Sequence, residues 1–151
     1  MESSSKRRWR QQIEGPIWSF TTLNIIVVAG TEGVDIFDIS NSFTSNPLKP
    51  HRISHLDLKS QAKDILLIDN YAYVADGENG LIIIDVHDPT NPKEVGHYDT
   101  LGDTRSVFVK DGYAYLPDYD NGLVILDVSD PTKPILVKDM TWYTFFGVDG
   151  N

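Results

Sequence analysis

The chain has 151 residues, 40% of them apolar and 11% aromatic, which is enough to build a hydrophobic core in one domain. A net charge of −9 argues against a protein that must line one face with Lys and Arg to hold a phosphate backbone, so nucleic acid is not an expected partner. With no cysteine, disulfides, thiolate metal sites and cysteine nucleophiles are excluded.

Residues 1–16 open with MESSSKRRWRQQ, which gathers Lys6, Arg7, Arg8 and Arg10 into a basic arm. It reads as a solvated tail, with docking to an acidic or lipid surface as the alternative. Gln11, Gln12, Glu14, Gly15 and Pro16 stand where a secretory signal needs its apolar stretch, so no signal peptide is visible. Ile17–Ala29 is interrupted by Ser19, Thr21, Thr22 and Asn24 and falls short of the roughly 20 apolar residues of a spanning helix.

From Ile17 onward, short β-rich runs alternate with turn residues and nothing sustains a 3.6-residue period, so an all-β chain without helix is expected. A first unit contains the runs Ile17–Thr21, Ile25–Ala29 and Gly33–Ser40. The second contains Ile65–Ile68, Tyr71–Ala75, Leu81–Val86 and Glu94–Tyr98. The third contains Val107–Val109, Tyr113–Leu116, Leu123–Val128 and Leu136–Met140. Asp69-Asn70 and Asp111-Gly112 join the first two strands of their units as two-residue hairpin turns, a type that requires positive φ. Gly80 and Gly122 close the next turn, where positive φ is again expected. Leu81–Ile84 and Leu123–Leu126 put hydrocarbon on both faces of the sheet, which predicts a sheet covered twice. Asp88-Pro89 and Asp130-Pro131 then stop the strand, because proline lacks the ladder donor. The fourth strand, more polar, reads as the outer edge.

The second and third units are one sequence written twice. GLIIIDVHDPTNP from Gly80 returns as GLVILDVSDPTKP from Gly122, and a shift of 42 lays Ala62–Asp103 on Thr104–Phe145 without a gap. The first unit is a degraded copy. Gly33 stands 47 positions before Gly80, so its extra residues fall within Asn41–Lys49, and Asn41-Ser42 replaces the Asp-Pro stop. Phe145–Val148 resembles the first strand of a fourth unit. Blades of about 17–60, 61–102 and 103–144, with a stub at 145–151, make up one domain over 17–151.

A period near 42 with four antiparallel strands per unit indicates a β-propeller-type repeat: about three blades plus one extra strand, a partial propeller. The stretches AYVADGENGLIIIDVHDPTNP and AYLPDYDNGLVILDVSDPTKP resemble the LVIVD-repeat family of propellers. The likeness runs from about Ile17 to Val148 and is strongest in the second and third units. It implies a propeller scaffold, a cell-surface or secreted setting, and binding rather than a defined reaction. It carries over no catalytic residue, since the matched Asp85 and Asp127 have a fold role only.

Asp76, Glu78, Asp103, Asp118 and Asp120 are candidates for an acidic rim around one mouth. Oxygen-rich clusters suit Ca²⁺ or Mg²⁺, yet the loop Asp118–Gly122 has no downstream bidentate Glu, and local backbone N–H bonds to turn Asp and Asn account for the pattern more simply. No catalytic, cofactor or metal residue is therefore assigned. His51, His55, His87 and His97 fall on the loop after the third strand or on the outer strand, and Tyr71, Tyr73, Tyr113 and Tyr115 are expected to pack between blades. The reading that follows is a non-enzymatic module binding a protein or glycan partner. A hydrolase or lactonase-like propeller with an acidic axial site, and a fragment of a longer surface propeller, are the alternatives. Three blades are too few for a closed ring. A homodimer closed through the first and third blades is accordingly expected, with Phe145–Val148 added to a partner blade.

Overall fold

Each repeat unit folds as a four-stranded antiparallel sheet in the computed structural model, which describes residues 17–20, 25–39 and 50–141. The first blade contains β1 (Ile17–Phe20), β2 (Ile25–Gly30), β3 (Gly33–Asp38) and β4 (His51–Leu56). The second contains β5 (Asp64–Ile68), β6 (Tyr71–Ala75), β7 (Leu81–Asp85) and β8 (Lys93–Tyr98). The third contains β9 (Phe108–Lys110), β10 (Tyr113–Asp118), β11 (Gly122–Asp127) and β12 (Ile135–Met140). Spatial order equals sequence order in all three sheets, as short links require. The described residues contain no helix, and this is a partial β-propeller-type repeat fold. The basic arm, the widened loop at Asn41–Lys49 and the stub at 145–151 lie outside the described residues.

Turn chemistry sets the register. Asp111 and Gly112 have φ of 52° and 80°, the paired positive values a type I′ turn needs. At the equivalent turn only Asp69 is positive, at 53°, because Asn70 has no glycine to relieve the left-handed region. Gly80 and Gly122 have φ of 82° and 84°. A Cβ on either would overlap a carbonyl oxygen of the neighbouring outer strand, Tyr98 O or Met140 O, and Gly33 stands in the same relation to Leu56 O. One device therefore opens the third strand of every blade.

The second sheet is covered on both sides. Ile82 and Ile84, with Ala72 and Val74, pack on Ile25, Val27, Val34 and Ile36 of the first blade. Leu81, Ile83, Tyr71 and Tyr73 face the other way, onto Val107, Ala114, Leu116, Val124 and Leu126 of the third. Consecutive residues of β7 thus serve opposite interfaces, which explains its unbroken hydrocarbon.

The Asp-Pro turn does more than stop a strand. Asp88 Oδ1 accepts bonds from Thr90 N (3.0 Å) and Oγ1 (2.6 Å), and Asp130 holds Thr132 in the same way. The turn so fixed rests on the outer strand of the preceding blade. Ser54 on β4 donates Oγ–H to Pro89 O at 2.6 Å, and Pro131 O lies where a Cβ on Gly96 of β8 would stand. Ser54 and Gly96 occupy one repeat position, 42 residues apart.

Three expectations need correction. The outer strand of the third blade is not polar, for Ile135, Leu136 and Val137 are all exposed. Its first strand begins at Phe108 and not Val107, because Val107 N–H leaves the ladder for Asp64 Oδ2 at 3.1 Å. Tyr71 and Tyr73 pack between blades as expected, whereas Tyr113 and Tyr115 lie on the uncovered side of the third sheet.

Candidate functional site

Asp76, Asp103 and Asp118 stand around one link, in which Thr104 bridges Gly77 and Asp118 and Tyr119 N–H donates to Asp103 O at 2.9 Å. Asp118, at the end of β10, is buried and its charge is met by the turn that follows. Its Oδ1 accepts Asp120 N (3.0 Å) and Asn121 N (2.8 Å), and its Oδ2 faces Thr104 Oγ1 at 3.4 Å. Asn121 Nδ2 in turn donates to Thr100 O at 2.9 Å, tying the turn to the link between blades. Asp76 holds the same repeat position and is fully buried. Its Oδ2 accepts Asn79 Nδ2 at 2.9 Å, while Oδ1 meets no donor among the described residues. Burial pushes its carboxyl above the ordinary value of 3.8, with hydrogen bonds from Asn79 and the Ser60 backbone pulling the other way.

The other three candidates are engaged differently. Asp103 Oδ2 accepts Arg105 Nε at 2.8 Å, and the Arg105 guanidinium lies 4.2 Å from the centre of the Tyr119 ring. Glu78 and Asp120 are exposed to solvent. Among the described residues no group of three or more His, Asp or Glu is arranged to hold a metal ion. What these carboxylates do chemically is order turns and links.

Asp64 is a buried carboxylate that the sequence reading passed over. Its Oδ1 accepts Ile65 N at 3.0 Å, and its Oδ2 accepts Ser106 Oγ at 2.6 Å and Val107 N at 3.1 Å. Asp64 and Ser106 are separated by one full repeat of 42 residues. The repeat alignment itself was the available signal, since equivalent residues of adjacent inner strands become neighbours. Asp85 and Asp127 accept His87 N (2.8 Å) and Ser129 N (2.9 Å), the fold role expected of them.

The two ends of the stack differ in chemistry. On the trailing side of the third sheet, cross-strand rows bring together Phe108, Tyr115, Ile125 and Lys138, then Lys110, Tyr113, Asp127 and Ile135, then Leu123 and Met140. Phe108, Tyr113 and Ile135 keep 55%, 39% and 53% of their surface in solvent, and the Phe108 and Tyr115 rings sit 6.2 Å apart. Shifted back by 42, Phe108, Tyr115, Ile125, Tyr113, Leu123 and Met140 are Leu66, Tyr73, Ile83, Tyr71, Leu81 and Tyr98, which the second sheet buries against the third, whereas Ile135 falls on the exposed Lys93. The third blade therefore exposes a face that the second blade covers.

The leading side of the first sheet is not its complement. Asp35 occupies the position of Ile82 and Val124, which are only 1% and 2% exposed in their own blades. Its Oδ1 is 2.8 Å from His55 Nδ1 and 3.3 Å from Arg52 Nη1, both on β4. The hydrogen bond to Asp35 raises the His55 pKa from 6.5, with a smaller contribution from Asp57 at 3.2 Å. Asp35 and its partners thus put charge among the half-buried Ile26, Val28 and Phe37 of the same face.

A protein-family model describing the LVIVD repeat matches the chain twice, over residues 59–100 and 101–141. These stretches coincide with the second and third blades. No curated protein matches the chain. Among the described residues no helix is long and apolar enough to cross a membrane.

Proposed function

The chain belongs to the LVIVD-repeat family, and from that premise we propose that it is a non-enzymatic interaction module that binds a protein partner through the trailing face of its third sheet. One observation supports this reading above the others: Phe108, Tyr113, Leu123 and Ile125 are exposed or partly so, while their counterparts one repeat earlier form an interface. Apolar patches of this kind on soluble proteins mark docking surfaces. The face mixes aliphatic and aromatic side chains as the interface between the second and third blades does, which suits a protein partner. The alternative of an acidic axial enzyme has no comparable support, since Asp76 and Asp118 are buried in turns and Asp103 is paired.

A hydrophobic dye and a metal assay test the proposal together. The purified chain should enhance the fluorescence of anilinonaphthalene sulfonate, and Ile125→Glu should remove most of that signal while the far-UV spectrum is unchanged. Desalted protein should hold no stoichiometric Ca²⁺ or Mg²⁺. Dye binding unaffected by Ile125→Glu, or one retained metal ion per chain, would contradict the reading.

A further inference from the structure

We infer that docking is one-sided: the trailing face of the third sheet accepts the leading face of a further LVIVD-type blade, and a second copy of this chain cannot supply that face because its own leading face is closed by Asp35. This rests on the third sheet being the docking surface. The occupant follows from the two interfaces already present in the molecule. In both, apolar residues of the second and third strands on the trailing face of one blade meet aliphatic residues on the leading face of the next. In both, the proline carbonyl of the incoming Asp-Pro turn lands on one position of the outer strand, Ser54 or Gly96. On the third blade that position is Lys138, paired with Ile125 beside the open patch. Lys138 has neither the hydroxyl of Ser54 nor the vacancy of Gly96, so the partner is defined by its leading face, which must be uncharged.

The first blade does not present such a face. Asp35 stands where Ile82 and Val124 are buried, and it holds Arg52 and His55 on the same surface. Covering it would strip water from a carboxylate and leave its cationic partners to be desolvated as well. Closure of two copies head to tail, the arrangement expected from blade counting alone, is thus opposed at one of its two contacting faces.

Light scattering after size exclusion on full-length chains tests this directly. The wild-type chain alone should remain monomeric at tens of micromolar. Asp35→Ile should self-associate at least about tenfold more tightly than wild type, because a desolvated carboxylate no longer opposes contact. The double variant Asp35→Ile/Ile125→Glu, with a repaired leading face and a spoiled trailing face, should be monomeric alone yet form a one-to-one complex with wild type. It should form none with Ile125→Glu. Phe108→Glu, at a more exposed site, replaces Ile125→Glu if the latter disturbs the circular dichroism spectrum. Wild type that associates as tightly as Asp35→Ile would overturn the inference. So would failure of the double variant to bind wild type. If binding fails while the dye signal still depends on Ile125, only the blade-type partner and the one-sidedness fall, and the docking face stands.

Discussion

Replacing the glycine that opens a third strand should separate two costs that usually arrive together. Gly112 has φ of 80°, and a Cβ there would meet nothing closer than Ser129 Cβ at 3.7 Å, an ordinary contact. Gly112→Ala therefore reports the left-handed backbone alone, about 1–2 kcal/mol for an L-residue. Gly80 has nearly the same φ, 82°, but its Cβ would overlap Tyr98 O and approach Thr100 N at 2.9 Å. These are backbone atoms pinned by the Leu81–Tyr98 pairing of β7 and β8, so they cannot move aside without loosening the ladder. Forcing a methyl into such a site adds about 1–3 kcal/mol. Gly80→Ala should thus lose about 2–5 kcal/mol in all, a large share of the roughly 5–15 kcal/mol that holds a domain together. Gly30→Ala is the control: nothing lies within 4 Å and its φ is outside the left-handed region, so it should be neutral or gain about 0.4–1 kcal/mol. Urea unfolding followed by far-UV circular dichroism measures all three. Equal losses at Gly80 and Gly112 would refute the reasoning, because the overlap with Tyr98 O would then cost nothing.

Asp64→Ala should destabilise by about 1–3 kcal/mol through the stranded Val107 N–H, and a double-mutant cycle with Ser106→Ala should show coupling above about 0.5 kcal/mol; additive losses would mean that the link between blades is not energetic. The folded-state pKa of His55 is raised above 6.5, so its stabilising share is complete below about 6.5 and disappears as the pH rises through the raised value. NMR titration should show His55 losing its proton above the ordinary value and Asp35→Asn lowering that midpoint; a midpoint at or below 6.5 in the wild type would contradict the ionic network at the first blade.

Much of the fold was legible because its determinants are local and repeated. Tyr71–Ala75 and the glycines at 80 and 122 stand as the turn and strand rules require. The sandwiching of the second sheet was legible too, since Leu81–Ile84 offers hydrocarbon to both sides. Interfaces between blades were less so, because they depend on which face a residue takes. Asp35 stands in an otherwise ordinary strand, and only its pairing with His55 and the packing of Val34 and Ile36 toward the second blade reveal that it points away from the core. Tyr113 and Tyr115 look identical in sequence to Tyr71 and Tyr73, yet they differ in having no blade beyond them among the described residues. The acidic candidates were drawn from their recurrence at a turn, and recurrence there reflects turn geometry: Asp118 collects backbone N–H groups, and Asp76 holds Asn79. Asp64 was missed because a carboxylate beside an apolar run gives no local hint that its partner lies one repeat away.

Native-state amide hydrogen exchange, read residue by residue on the full chain, tests the stacking most directly. The second sheet is the only one of the three covered on both sides among the described residues, so Val74, Ile82, Ile83 and Ile84 should exchange slowest, by opening of the whole structure. The amides of Leu123 and Ile125, central in a sheet covered once, should exchange faster. Protection of β10 and β11 equal to or greater than that of β6 and β7 would contradict it, because a face open to solvent could not then belong to the third blade.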